Sequence, residues 1–275
     1  VLDRWVNIFF SLALVFVFIL LGDIQDHNQI LIGIFIAILF STIAFVLNWL
    51  TIDGTISAII FGSFAYGLGG LPGAAVILGF FISGSFLSKD LISKEGFLEK
   101  KFRRNAKQVW SNGFWFALWI LIWFLSGGNA FLFAGVSAIA AAASDTWATE
   151  VGGHRFKRKT WLITTGKKVE SGTDGGISVY GTIAAFSGAL FISLVFYIFG
   201  GEANFLTFII ITVSGFLGCL IDSYIGARFQ NGNQKVPLTS LVGVENMYVS
   251  NNFVNWISAG FASVISLALT LIFGV

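Results

Sequence analysis

The stretch Ala138-Ile139-Ala140-Ala141-Ala142-Ala143-Ser144-Asp145-Thr146-Trp147-Ala148-Thr149-Glu150-Val151-Gly152 decides how this chain is read. It opens with a run of small residues. Such a run lets neighbouring helices approach closely and makes a poor lipid-facing surface, so it predicts a helix at the centre of a membrane bundle. Two carboxylates then appear near its end. Ionisable residues inside a span are costly and mark function by default. Asp145 and Thr149 are four apart and share a helix face. On an uninterrupted α-helix Glu150 lies about 140° round from Asp145, so these two acids need not point at one ligand.

The rest of the chain fits a membrane setting. Of its 275 residues 56% are hydrophobic and 11% charged, against about 25% charged in a soluble domain. Mean hydropathy is +0.85, and the 31 Phe and 9 Trp suit a chain solvated by lipid. Cys219 is the only cysteine, which excludes an intramolecular disulfide and a thiolate-rich metal site. A spanning helix needs roughly 20 mostly apolar residues. Nine are predicted, at about 5–22, 29–50, 54–69, 71–88, 109–126, 129–151, 176–199, 204–226 and 252–274. The first reads as a true span rather than a cleaved signal peptide. The third is short and meets the fourth at Gly69-Gly70-Leu71-Pro72, as a tight hairpin or a broken, re-entrant pair. The expected fold is therefore an all-α polytopic integral membrane protein of about nine transmembrane helices, one transmembrane domain over 1–275.

With nine alternating spans, all 16 Lys and Arg residues fall in one set of loops: 1–4, 50–54, 89–108, 152–175 and 227–251. The opposite loops hold only Asp23, Asp26 and Glu202. Positive short loops stay in the cytoplasm, which predicts a cytoplasmic N-terminus and an active face on the cytoplasmic side of the cell (inner) membrane. Lys94, Lys100 and Lys101 read as a solvated linker beside anionic headgroups. Arg103-Arg104-Asn105-Ala106-Lys107-Gln108 runs straight into the fifth span and is a better candidate for a phosphate-facing patch. The partners implied are the bilayer and a phosphorylated small molecule, with no nucleic acid; the sequence leaves room for a homo-oligomer.

Four acids stand at cytoplasmic helix ends: Asp53, Asp145, Glu150 and Asp222. The eighth span sets Gly215, Gly218, Asp222 and Gly226 three or four apart, a glycine stripe that turns the Asp222 carboxylate toward another helix. Carboxylates from two helices at similar depth can hold Mg²⁺, which takes one or two carboxylates, several waters and substrate phosphates. The plainer reading is that Asp145 and Asp222 cap helices or pair with Arg155 or Arg228, and that Asp53 caps the third span. The loop 157–176 is basic, hydroxyl-rich and glycine-rich, and a helix follows it. Backbone N–H groups at a helix start bind phosphate, although a plain turn with Asp174 as N-cap explains much of the pattern. It is not a P-loop, since no G-x-x-x-x-G-K-[ST] occurs. Asn252 and Asn255 open the ninth span, as ligand contacts or as caps.

At these motifs the chain resembles a known group. The pieces are Arg104-Asn105-Ala106-Lys107-Gln108-Val109 with Asn112-Gly113, Ser144-Asp145-Thr146-Trp147-Ala148-Thr149-Glu150-Val151-Gly152, and Leu162-Ile163-Thr164-Thr165-Gly166-Lys167. They continue with Gly172-Thr173-Asp174-Gly175-Gly176-Ile177-Ser178, Leu220-Ile221-Asp222-Ser223-Tyr224-Ile225-Gly226-Ala227 and Asn251-Asn252-Phe253-Val254-Asn255. Together they resemble the membrane family called domain of unknown function 92, or transmembrane-protein-19-like, from about residue 48 onward. The plant member of that family is the phytyl-phosphate kinase of tocopherol synthesis. The resemblance implies a nucleoside triphosphate donor and a polyprenyl or phytyl monophosphate acceptor. A distant likeness of the Ser-Asp-Thr-x-Ala piece to dolichol kinase and CDP-diacylglycerol synthase implies CTP as donor, with Mg²⁺.

Carried over, Asp145, Glu150 and Asp222 are the catalytic candidates, with Asp145 and Asp222 as metal ligands. The substrate and phosphate candidates are Arg104, Asn105, Gln108, Asn112, Thr164, Thr165, Lys167, Lys168, Gly172, Thr173, Asp174, Gly175, Gly176, Asn252 and Asn255. Many members carry Asp where this chain has Asn252, and the cysteine-rich insertion of some members is absent from 230–245. Two other readings stay open. A cytidylyltransferase making CDP-linked lipids uses the same chemistry. A lipid or small-molecule transporter would use the broken third and fourth spans, although the acids cluster at one face rather than the midplane.

Overall fold

The computed structural model describes residues 2–95, 103–154, 159–201, 203–230 and 249–275. Expectations placed on Lys100, Lys101 and Arg155, on the side chain of Lys94 and on the 231–245 stretch lie outside the described residues. The described chain runs through α1 (Leu2–Phe16, ending in a π-turn over Val17–Leu21), α2 (Ile24–Val46), α3 (Ile52–Gly67), α4 (Gly70–Glu95) and α5 (Ala106–Ser126). It continues with α6 (Asn129–Ala148, ending in a π-turn over Thr149–His154), β1 (Thr160–Leu162), β2 (Lys168–Val169), β3 (Gly176–Ile177), α7 (Val179–Phe199), α8 (Phe205–Phe229) and α9 (Asn251–Phe273).

Among the described residues, eight helices are long and apolar enough to cross a bilayer. The exception is α3, whose 16 residues reach about 24 Å, short of the hydrocarbon thickness. Leu68 and Gly69 alone separate it from α4, and Gly70 turns the chain at φ +60°. The two helices pack on each other, so the hairpin is what forms. Helix starts follow side-chain caps more closely than hydropathy. Asp23 and Asp26 make a reciprocal capping box, so α2 begins at Ile24 rather than 29. An Asn105–Gln108 box starts α5. Ser178, not Asp174, caps α7 by accepting from the Gly181 N–H at 3.2 Å.

As its small side chains predict, α6 occupies the centre. Within its membrane-length window 72% of residues are buried, against 50% or less in every other candidate span. It packs on α4, α5, α7, α8 and α9. The α8 glycines make the closest of these approaches. A Cβ at Gly215 would lie 2.5 Å from the Ala140 Cβ, and one at Gly218 2.7 Å from the Ala141 Cβ. Residue numbers rise together along this contact, so α6 and α8 run parallel. One turn further on, Asp145 and Asp222 arrive at the same end of the bundle.

The 152–175 region also forms a small antiparallel sheet in the order β2-β1-β3, with Trp161 opposite both Lys168 and Ile177. The hydropathy reading contains no strands. They are two or three residues long, too short for alternation to register. β3 takes Gly176 and Ile177, which is why α7 starts at Val179 and not at 176.

Candidate functional site

α6, α7, α8, α9, the α5 start and the sheet surround a polar cavity of about 430 Å³, open to solvent. Asp145, Glu150 and Asp222 all line it, with Arg104, Gln108, Asn112, Gly172, Thr173, Asp174, Gly175, Gly176, Asn252 and Asn255. Five candidates do not. Asn105 is spent on the α5 cap, where its side chain accepts from the Gln108 N–H at 3.1 Å. Thr164, Thr165 and Lys167 sit in the β1–β2 turn, whose backbone closes from Leu162 N–H to the Lys167 carbonyl at 2.9 Å. Lys168 follows them, and both lysines are exposed. The structure therefore does not bring these four residues into the cavity lining.

The two metal candidates have different surroundings. Asp222 is buried, and its Oδ2 accepts from Ser258 Oγ at 2.9 Å. With its nitrogen turned toward Asp222, the Asn255 amide donates to the same oxygen at 3.3 Å and to the Asn251 carbonyl at 2.9 Å. Asn255 therefore positions a carboxylate. Asp145 is partly open to the cavity. The two charges act on each other, and Cys219 beside them feels both.

Glu150 departs from the expectation. The α-helix gives way to a π-turn at Thr149, and the Thr149 N–H reaches both the Asp145 and Thr146 carbonyls. The wider turn advances each residue by a smaller angle than an α-helix does, which narrows the separation of the two acids. Glu150 lines the same cavity as Asp145, and their charges interact. Its Oε1 accepts from Ser88 Oγ on α4 at 2.7 Å, and its Oε2 is buried without a hydrogen-bond partner. Single π-turns of this kind gather at functional sites.

Asp53 has another task. Its carboxylate accepts from Thr51 Oγ1 at 2.6 Å and from the Ala106 N–H at 3.0 Å. It caps the start of α5, whereas α3 is capped by Thr51. Beside it Leu50 and Arg104 form a parallel bridge, closed by Arg104 N–H to the Trp49 carbonyl at 2.9 Å and Thr51 N–H to the Arg104 carbonyl at 3.1 Å. This tie aims Arg104 inward. Its Nη1 donates to Ser85 Oγ at 3.1 Å, and its guanidinium lies 5.5 and 5.0 Å from the Phe80 and Phe81 ring centres. Gly84 makes room for it, since a Cβ there would lie 2.6 Å from Nη2. Burial draws the Arg104 pKa from 12.5 down to about 10, with Glu150 opposing the shift. It remains cationic at neutral pH.

The glycine-rich loop is fixed to the Asp222 helix. Gly175 has φ +72°, and a Cβ there would lie 2.3 to 2.5 Å from Ala227 atoms. Only glycine fits this approach, which brings the loop backbone to the cavity mouth one turn beyond Asp222. Sequence reasoning missed Ser258, Ser88 and Thr146. Ser258 had a signal, since it follows Asn251 and Asn255 on one face of α9. Ser88 had none, because its partner is 62 residues away.

An apolar groove of about 100 Å³, open along its side, adjoins the polar cavity. It lies between α2 and α4, over α3 and α5, and shares Arg104, Gln108 and Asn112 with the cavity.

Among the described residues, no three His, Cys, Asp or Glu side chains gather closely enough to hold a metal ion by themselves. The donor set suits Mg²⁺ nonetheless, because that ion needs only one or two carboxylates and fills its shell with water and phosphate oxygens.

Comparison with known proteins agrees with the motifs. The family model described as integral membrane protein DUF92 matches residues 35–263. An uncharacterized membrane protein of Methanocaldococcus jannaschii is 33% identical over 79% of this chain and 93% of its own length. An uncharacterized membrane protein of Synechocystis is 32% identical over 59% of this chain and 65% of its own. Protein VTE6, chloroplastic, of Arabidopsis thaliana is 27% identical over 80% of this chain and 65% of its own. No solved structure matches.

Proposed function

Given that this chain belongs to the integral membrane protein DUF92 family, we propose that it is a prenyl-phosphate kinase, transferring the terminal phosphoryl group of a nucleoside triphosphate, CTP by preference, to a polyprenyl or phytyl monophosphate at the cytoplasmic face of the cell membrane. The observation that carries the reading is the meeting of two carboxylates from parallel helices with a glycine loop around one cavity that opens into an apolar groove. The family resemblance to the plant phytyl-phosphate kinase supports the acceptor, and the likeness to CTP-using enzymes supports the donor.

The chemistry asks little covalent work of the protein. An oxygen of the acceptor phosphate bonds to the donor's terminal phosphorus, the bond to the bridging oxygen breaks, and the nucleoside diphosphate leaves with those electrons. Catalysis is then positioning and charge stabilisation. The acceptor oxygen is already ionised at pH 7, so no strong base is needed. Asp145 and Asp222 would hold Mg²⁺, which when bound neutralises the donor phosphates. The backbone N–H groups of Gly172 and Gly175 would present donors to the transferring group, those of Thr173 and Gly176 being spent on the Glu170 and Thr173 carbonyls. Ser258 and Asn255 hold Asp222 in a fixed rotamer. Arg104, Gln108 and Asn112 face the acceptor side.

The test is purified protein with geranylgeranyl, farnesyl and phytyl monophosphates against each nucleoside triphosphate, with Mg²⁺ and with EDTA. Label from the γ-phosphate of CTP enters the lipid if the protein is a kinase. Label from the α-phosphate enters only if it is a cytidylyltransferase. Asp145→Asn is expected to lower transfer by about 10³-fold; full activity in that variant refutes the carboxylate's role.

A further inference from the structure

We propose that the apolar groove between α2 and α4 holds the first isoprene units of the acceptor lipid while Arg104 holds its phosphate, a site that rests on the kinase reading for the identity of the lipid. α2 and α4 both pack on α3 and scarcely on each other. The gap they leave is lined by small side chains, Ala37 and Ala44 on α2, Ala58 and Gly62 on α3, and Ala74 on α4. Its wall includes the exposed Phe40, so a tail can pass in sideways from the bilayer without crossing water.

The groove is polar at one end. Apart from Ser41 and Tyr66, its polar lining is Arg104, Gln108 and Asn112. Those three residues also face the cavity of the carboxylates, so they form the seam between the two spaces. Aromatic faces at Phe80 and Phe81 steady the Arg104 cation, but they do not neutralise it. A planar guanidinium held in this way is suited to a phosphate. The nearby carboxylate is Glu150, on the cavity side, with one oxygen occupied by Ser88. An anionic headgroup at the seam meets the guanidinium from the groove side, and its tail has only the groove to follow.

Shape sets how much of the tail is held. From Ala58 to Tyr66 along α3, or from Phe81 to Ala74 along α4, the groove runs about 11–12 Å. Bonds of about 1.5 Å advance an extended carbon chain roughly 1.3 Å each, so about nine bonds fit, or two to three isoprene units. Longer tails continue into the bilayer. A tail gains nothing by leaving lipid for an equally apolar wall. Selection therefore comes from the phosphate at Arg104 and from the fit of the first branched units.

The experiment uses the full chain in phosphatidylcholine nanodiscs, without nucleotide, and a farnesyl monophosphate bearing a diazirine on its second isoprene unit. Peptide mapping is expected to place the crosslink within residues 58–66 of α3 and 74–81 of α4. Unlabelled farnesyl monophosphate is expected to compete, and farnesol, inorganic phosphate and phosphatidic acid are not. Arg104→Gln is expected to lower the yield about tenfold or more, the loss of a charge-assisted contact. Ala58→Phe fills the groove near the seam and removes the crosslink; Ala74→Phe fills the far end and removes it only for a probe on the third unit. Melting curves identify any variant that fails to fold, and the other then serves. Crosslinks spread over α1 or α7, a folded Ala58→Phe with undiminished yield, or equal competition by phosphatidic acid overturns the proposal. Groove crosslinking without phosphoryl transfer from any nucleotide leaves this site standing and removes the kinase reading. Transfer that persists without groove crosslinking does the reverse.

Discussion

Gly218→Ala tests whether helix spacing alone controls the chemistry, because it adds one methyl group and touches no reacting residue. In the native packing that methyl would lie 2.7 Å from the Ala141 Cβ, 2.8 Å from the Ala262 Cβ and 3.2 Å from the Ser258 carbonyl oxygen. Carbon atoms in contact settle at about 3.5–4.0 Å, so α8 must retreat by about 1 Å from α6 and from α9 together. Asp222 lies one turn further along the same face and moves with it. The shift parts Asp222 from Asp145 and stretches the 2.9 Å bond from Ser258. Overpacking of this kind costs about 1–3 kcal/mol of stability, and a misplacement of about 1 Å costs on the order of 100-fold in rate. The assay is transfer of γ-labelled phosphate from CTP to geranylgeranyl monophosphate in nanodiscs, with a thermal melt beside it. Gly201→Ala is the control, since among the described residues nothing lies within 4 Å of its added methyl. A folded Gly218→Ala protein that turns over at the wild-type rate refutes the idea that the α6–α8 approach sets the carboxylate geometry.

Three further outcomes are expected. Arg104→Lys should make transfer pH-dependent: the burial that lowers Arg104 to about 10 acts on a lysine whose ordinary value is already about 10.4. The variant's cation is then lost at lower pH than the wild type's, so its transfer falls as pH rises across 7–9 while wild-type transfer stays flat. Asp53→Ala should lower thermal stability by about 1–2 kcal/mol, because it leaves the Ala106 N–H without its acceptor; denaturation of the folded protein in mild detergent measures this. The double variant Lys167→Ala with Lys168→Ala should change turnover less than about threefold, as expected for exposed cations screened by salt, and a loss of 100-fold would show that the hairpin reaches the cavity during turnover.

Much of the fold is legible because a bilayer imposes simple rules. Apolar length gives the spans, and the small residues of Ala138–Ala143 and the Gly215–Gly218 stripe foretell which helices touch. The candidate acids Asp145 and Asp222 follow from that stripe, since they close the same helix face one turn later. Other features depend on contacts distant in sequence. Ser88 meets Glu150 across 62 residues, and Asp53 meets the start of α5 across 53. The π-turn at Thr149 has no compositional mark, yet it narrows the angle between Asp145 and Glu150, which line one cavity. Lys167 and Lys168 look like phosphate ligands by type and neighbourhood, but they stand exposed and outside the cavity lining. The groove is invisible in one dimension, being a gap between two helices that each read as ordinary spans.

The bridge between Leu50 and Arg104 carries a lesson about tolerance. It is mainly a tie of main chain to main chain, to which the Thr51 hydroxyl adds a bond to the Arg104 carbonyl at 3.3 Å. Substitutions at 50 can accumulate without turning the arginine. A single-residue insertion or deletion there is different, because it changes which backbone groups meet Arg104 across the bridge. The seam between tail and phosphate would lose the tie that aims its cation while every side chain of the site remained intact in the sequence.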